Sequence, residues 1–306
     1  MELIGENIHI ISKKIKEALV SKDESFIKEL IKKQKSMDYV DLNVGPAKGN
    51  LENILPWLIN LAQNESIKGL SLDTTNSIEM KKGLECCKGF SNIIINSASD
   101  DKNRLESMTD LAAEYNTKLI ALTLNNSIGI PQTADERIEL ALDIYETCSQ
   151  KDISNERIYF DPLILPISVN QSQANEALNT VKMLKESFDP ACNTVVGLSN
   201  ISNGSPKELR PLINRVFLAI AYGAGLDCAI VDATDSKLYN MVKMLESKKP
   251  DTKADELLLN LGSIISDFVD IAEIEYDKSD KESVDIYKTA CIIMNKNIYS
   301  HSFTQI

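Results

Sequence analysis

Six short apolar runs close on a carboxylate or an amide: YVDLNVG (39–45), LSLDTTN (70–76), IIINSAS (93–99), IYFDPLILP (158–166), VVGLSNIS (195–202) and IVDATD (230–235). Runs of this kind suit strands buried on both faces, as in a parallel sheet covered by helices. Parallel strands all point the same way, so the polar groups at their carboxyl ends must converge on one rim. That rim is supplied with Asp and Asn rather than His, Lys or Cys. It is suited to holding a neutral heterocycle by hydrogen bonds, not a metal or a polyphosphate.

Strand and helix patterns alternate along most of the chain. Strands are expected at 2–5, 39–44, 69–74, 92–97, 118–124, 157–165, 194–199 and 228–233. A helical stretch ends near Ser36, and helices are expected at 51–62, from Asn76 or Ser77 onward, and at 101–114, 133–149, 172–187, 208–223 and 236–246. Eight βα units in about 250 residues point to a closed (β/α)8 TIM barrel, whose sites lie at the carboxyl rim. An open doubly wound sheet would need a glycine-rich phosphate turn after its first strand, and IGENIHI does not supply one.

The tail departs from this rhythm. Residues 248–252 read as a loop, and 253–272 place Leu257, Leu258, Leu261, Ile264, Ile265, Phe268 and Ile271 on one helical face. The acidic stretch EIEYDKSDKES (273–283) leads into a last helix ending near Asn295. The expected organisation is a barrel over 1–247, a helical insertion over 248–285 packed on it, and a terminal helix and tail over 286–306 completing it. The insertion either covers the outside of the barrel or forms a docking or dimer surface.

Composition narrows the setting. A net charge of −12 over 306 residues argues against nucleic acid, because neutralising phosphates needs a basic face. No run approaches ~18 uncharged apolar residues, so no membrane span is expected. The start MELIGENIHI lacks the parts of a signal peptide. Six cysteines without CxxC spacing read as reduced core thiols, which fits a cytoplasmic enzyme. With His9 and His301 as the only histidines, a His-rich metal site is not expected.

Each rim residue has a bland reading beside the functional one. Asp73 precedes a helix start and suits a cap as well as a ligand contact. Asn96, with Ser97, closes Ile93–Ile95 and can read a ring edge or tie neighbouring strands together. Asp161 stands in an apolar run next to Pro162. Burying it costs several kcal/mol unless donors meet it, roughly by the transfer scale for polar groups. A ring with an exocyclic amine and an N–H would meet it in bidentate fashion. Asn200 ends the seventh strand between Ser199 and Ser202. Asp41 and Asn43 share one strand face, either near the rim or as a polar plug. Asp232 and Asp235 follow the last strand, the second being suited to capping a helix. Asn125 and Asn126 read as turn residues.

Taken in order, IGEN-x-H, DLNVGP, LSLDTTN, INSAS, FDPLILP, VVGLSNIS, RPLINRVFLA and IVDATD resemble the methyltetrahydrofolate:corrinoid/iron–sulfur protein methyltransferases of the pterin-binding barrel superfamily. The resemblance covers about 1–247 and resumes at NKNIYSHSF. It implies a (β/α)8 barrel, usually a homodimer, binding the pterin of a folate in its mouth. Asp73, Asn96 and Asp161 would hold the ring, Gly197 and Ser199 would line the floor, and Asn200 would sit near N5. Two departures stand out. GENIH puts Asn7 and His9 where the family commonly has an Arg and an Asn, and 248–285 resembles an insertion absent from short members.

The resemblance implies transfer of the N5-methyl group to or from the cobalt of a corrinoid carried by a separate protein, since the chain lacks an Asp-x-His-x-x-Gly motif. Nitrogen leaves poorly as an anion, so positive charge must reach N5 as the bond breaks. Without His or Lys in the mouth, the expected route is a water or Asn200 amide network fed from solvent. The alternatives are a dihydropteroate synthase, which would need cationic groups at the mouth, and a non-catalytic scaffold that docks a corrinoid protein.

Overall fold

The computed structural model describes residues 1–305. Eight strands, β1 (Glu2–Gly5), β2 (Tyr39–Gly45), β3 (Leu70–Thr74), β4 (Ile93–Ser99), β5 (Lys118–Leu122), β6 (Ile158–Asp161), β7 (Asn193–Gly197) and β8 (Cys228–Val231), pair in parallel and in chain order. β1 also pairs with β8, closing the barrel. The chain therefore has the (β/α)8 architecture expected from its alternation.

The first helical stretch is two helices, α1 (Lys13–Ser21) and α2 (Glu24–Lys33). Lys22 adopts the left-handed conformation that ends α1, and the Asp23 carboxylate then accepts the Phe26 N–H to start α2. Around the barrel follow α3 (Ile54–Gln63), α4 (Ser77–Cys86), α5 (Lys102–Glu114), α6 (Ala134–Ser149), α7 (Ser172–Ser187), α8 (Arg210–Gly223) and α9 (Ser236–Ser247). Asn76 and Asp235 cap α4 and α9. The tail adds α10 (Lys253–Leu261), α11 (Ser263–Ser266) and α12 (Lys281–Ile293), all packed on α8. The approach is closest at a glycine pair: a Cβ on Gly223 would lie 2.1 Å from the Gly262 carbonyl oxygen.

Two expected elements are shorter than the sequence suggests. β6 stops at Asp161 instead of running to 165, because Pro162 has no N–H for the ladder and the Asp161 carboxylate turns back to accept the Leu163 N–H at 2.8 Å. The single helix expected over 253–272 breaks after Leu261 and ends at Ser266. Lys182 of α7 donates to the Ile265 and Ser266 carbonyls, supplying partners for that helix end. Phe268 then takes a positive φ of 57° and points to solvent, under the Lys182 ammonium, rather than joining the apolar face.

Period-2 alternation fills the barrel in layers. At the amino-terminal end, the Glu2 carboxylate accepts from the Tyr39 and Tyr159 hydroxyls and the Lys118 ammonium. Above it, Ile4, Ile94, Ile120, Val195 and Cys228 belong to a buried cluster drawn from five different strands. This apolar layer is the floor under the polar residues at the carboxyl rim. No helix is long and apolar enough to cross a membrane among the described residues.

Candidate active site at the carboxyl rim

Strand register brings the first group together. Asn43 pairs with Asp73, which pairs with Asn96, so one inward row crosses β2, β3 and β4. The Asn43 amide donates to Asp73 Oδ2 at 2.5 Å. Two residues deeper on β2, Asp41 Oδ1 accepts from Ser71 Oγ at 2.5 Å and from Asn96 Nδ2 at 3.5 Å. The bonded pairs Asn43–Asp73 and Asp41–Asn96 thus form one polar network joined by strand register and by the charge effect of Asp73 on Asp41, which gives Asp41 and Asn43 a place at the mouth.

The network is electrostatically loaded. Burial pushes the Asp73 carboxyl up to about 7, against the opposing pull of the Arg104 guanidinium and the Asn43 hydrogen bond. Burial, with Asp73 beside it, drives Asp41 well above the usual carboxylate range. Arg104 reaches in from α5 and is fixed by Ser97, donating to its carbonyl and its hydroxyl, both at 3.0 Å. Ser97 therefore anchors the nearest cation rather than ending the strand as a bare hydroxyl.

Asp161 stands at the end of β6, facing the same mouth but outside that network. Burial raises its carboxyl to about 7, with the Leu163 N–H and the buried Arg137 opposing. Oδ1 is held by Leu163, whereas Oδ2 receives no hydrogen bond from any described residue. The residue is buried, but Oδ2 is not among the fully enclosed polar atoms without a partner, so it opens onto the mouth where a ligand donor can reach it.

The third group lies where β7, β8 and β1 meet. The Ser199 hydroxyl donates to the Glu6 carboxylate. The Asn200 side chain folds over Gly197 and makes no hydrogen bond to a described residue. Asp232 is engaged through one oxygen: Oδ1 accepts from Asn7 Nδ2 at 2.7 Å, Thr234 N at 2.9 Å and Thr234 Oγ1 at 2.7 Å. Burial would raise its carboxyl, but these bonds outweigh it and hold the group below its usual range. The Asn7 amide oxygen accepts the Ala233 N–H at 2.9 Å, so Asn7 and Asp232 together lock β1 to the loop after β8. Asn125 accepts from Ser127 and Ile128 in a turn, as its position suggested.

Two mouth residues escaped the sequence reading. Glu6 was readable: inward positions on β1 recur as Glu2, Ile4, Glu6, and continuing that period past Gly5 enters the mouth. Arg104 carried no such signal, since it sits one turn into an ordinary amphipathic helix. Among the described residues, no group of three or more His, Cys, Asp or Glu side chains is arranged to hold a metal ion.

The assembled mouth offers acceptors at Asp73 and Asp161, an amide at Asn96 and uncharged groups at Ser199 and Asn200. Such a set can bind the donor edge of a flat polar ring.

Similarities to known proteins follow the same lines. The chain is 26% identical over 246 residues to a methylcorrinoid:tetrahydrofolate methyltransferase of Eubacterium limosum, covering 79% of this chain and 89% of that one. It is 28% identical over 245 residues to a methionine synthase of Mycobacterium leprae, covering 76% of this chain but 20% of that protein, a match to one segment. A Yersinia pestis DHPS with a pterine–sulfa conjugate superposes with a TM-score of 0.56 at 15% identity, over 80% of this chain and 94% of that one. A dihydropteroate synthase of Coxiella burnetii with pteroic acid gives 0.58 at 15% identity, over 81% and 94%. The two superpositions speak for the barrel alone. The profile of the pterin binding enzymes matches residues 39–232, more than half the chain and the whole span from Asp41 to Asp232, so the protein belongs to the pterin binding enzyme family.

Proposed function

We propose that the enzyme moves the N5-methyl group between methyltetrahydrofolate and the cobalt of a corrinoid carried by a separate protein. The observation that carries this reading is the Asp161 carboxylate, held through Oδ1 alone with Oδ2 left open to the mouth, on the same rim as the Asp73–Asn96 pair. A pterin presents an exocyclic amine and ring N–H groups on one edge, which supply the donors that Asp161 lacks. Asp73 and Asn96 hold the ring from the opposite strands, and Gly197 and Ser199 floor it. The names of the E. limosum and M. leprae relatives support a folate donor and a corrinoid or methionine-forming context.

Asn200 lies near N5 in this reading. Its unengaged amide stabilises charge that develops on nitrogen only as the methyl departs, the kind of contact that raises turnover more than binding. The reaction is a displacement: the low-valent cobalt attacks the methyl carbon, the C–N bond breaks, and its electron pair stays on N5.

The partner reaches the methyl across an open rim. Ile11, Ile78, Ile128 and Val169, beyond the ends of β1, β3, β5 and β6, are large exposed apolar side chains suited to meeting a protein surface. In the same reading the protein works as a cytoplasmic homodimer. Residues 1–247 form the pterin-binding barrel, with 248–285 as an insertion on it and 286–306 completing it. α12 crosses the boundary between the last two segments.

Calorimetry of methyltetrahydrofolate binding by the wild-type protein and by Asp161→Ala tests the site. The reading requires binding by the first and its loss in the second. Equal binding by both overturns it.

A further inference from the structure

Glu6 enters the mouth from the strand between β8 and β2. Its N–H donates to the Val231 carbonyl at 3.0 Å, continuing the β1–β8 ladder and placing it beside Asp232. Its carboxylate accepts the hydroxyl hydrogen of Ser199, the residue that immediately precedes Asn200. No described N–H and no ammonium or guanidinium hydrogen-bonds to that carboxylate. The titratable groups that bear on it are both acids: Asp232 from the β8 side and Asp41 from β2. From the C-terminal cap of α2 comes neutral Gln34, whose amide oxygen accepts the Asn7 N–H. Three donors to Oδ1 stabilise the Asp232 carboxylate, whereas Glu6 has one hydroxyl and acidic neighbours.

We propose that Glu6 is the catalytic acid of the methyl transfer, holding a proton in the resting mouth and delivering it to N5 as the methyl leaves. This rests on the methyl-transfer reading and replaces a proton drawn directly from solvent. The step balances: the cobalt(I) electron pair forms the cobalt–carbon bond and the N5–carbon bond breaks. N5 takes the Glu6 proton to give neutral tetrahydrofolate, and the Glu6 carboxylate regains a proton from water. Burial holds the Glu6 carboxyl above its ordinary range, the Ser199 hydrogen bond opposes this, and Asp232 adds to it. Burial thereby favours the neutral carboxylic acid beside the Ser199–Asn200 turn.

The test is single-turnover demethylation of methyltetrahydrofolate by free cob(I)alamin under anaerobic conditions, across pH, with folate binding measured in parallel. Glu6→Gln is expected to slow transfer ~10²–10⁴-fold, the usual worth of general acid catalysis, while folate affinity stays within a few-fold of wild type. The alkaline fall in the wild-type rate should vanish in Glu6→Gln and persist at reduced rate in Glu6→Asp. Ser199→Ala removes a bond that favours the carboxylate, so its alkaline limb should move to higher pH. Unchanged rate and profile in Glu6→Gln, with folate still bound, overturn the role of Glu6 and leave the pterin site standing. A Glu6→Gln defect reproduced in size by Ser199→Ala, with no shift of the limb, also overturns it, leaving Glu6 as a prop for the loop after β7. A wild-type protein that neither binds nor demethylates the folate overturns both readings.

Discussion

The amide nitrogen of Asn200 lies 3.0 Å from the point where a side chain on Gly197 would begin. A side chain at 197 would press on this amide, so the glycine leaves it room over the strand end. Asn200→Ala is expected to slow methyl transfer about 10²-fold, as loss of one preorganised donor does, with little change in folate affinity. Gly197→Ala should produce a smaller defect of the same type by displacing the amide. Comparable losses of rate and affinity in Asn200→Ala would place the residue in ground-state binding instead.

Asp161 links binding to pH. Its carboxyl, raised to about 7 in the folded protein, is mostly protonated at pH 6, whereas a pterin donating two hydrogens requires the carboxylate. Folate affinity should therefore rise with pH through about 7 and then level. Calorimetry at pH 6 in buffers of different ionisation heat should register proton release on binding.

The same group sets a stability trend of opposite sign. A carboxyl raised in the folded state favours folding most at low pH, and that contribution is lost as pH rises through its folded value. The ligand-free protein should lose stability between about pH 4 and 7 from this source. The loss is at most on the order of 4 kcal/mol for a shift from 3.8 to about 7. Asp161→Asn should flatten this limb in denaturant titrations and stabilise the ligand-free protein above pH 7, while binding folate poorly. A variant with the wild-type slope would show that Asp161 is already ionised.

Glu79 is a buried carboxylate with a purely architectural task. It reaches from α4 to accept the Asn53 and Leu55 N–H groups at 3.0 and 2.9 Å, satisfying the start of α3. Glu79→Ala strands two donors and should cost about 2–3 kcal/mol, read as a lower denaturation midpoint, without moving the pH profile of transfer.

The barrel was legible because its signal is periodic and redundant. Runs such as IIINSAS and IVDATD repeat apolar strand followed by polar end, and eight such units have few other ways to close. The rim was legible for the same reason: Asp73, Asn96 and Asp161 end strands whose interiors could not otherwise tolerate them. What pairs with what was not legible. Nothing in the local sequence says that Asp41 sits under Asn96, that Asp232 is occupied by Asn7, or that Arg104 lies beside Asp73, because register and helix packing decide these contacts. Glu6 was overlooked because GEN reads as a loop, although the alternation beginning at Glu2 passes through it. The break at Ser266 depends on Lys182, far away in sequence, supplying donors to that helix end.

One mixture tests the central claim most directly: the protein, methyltetrahydrofolate and free cob(I)alamin without oxygen, followed by absorbance. The account predicts growth of the methylcobalamin spectrum at a rate proportional to enzyme, abolished by Asp161→Ala. A spectrum that stays that of cob(I)alamin, with folate demonstrably bound in the mouth, would contradict it.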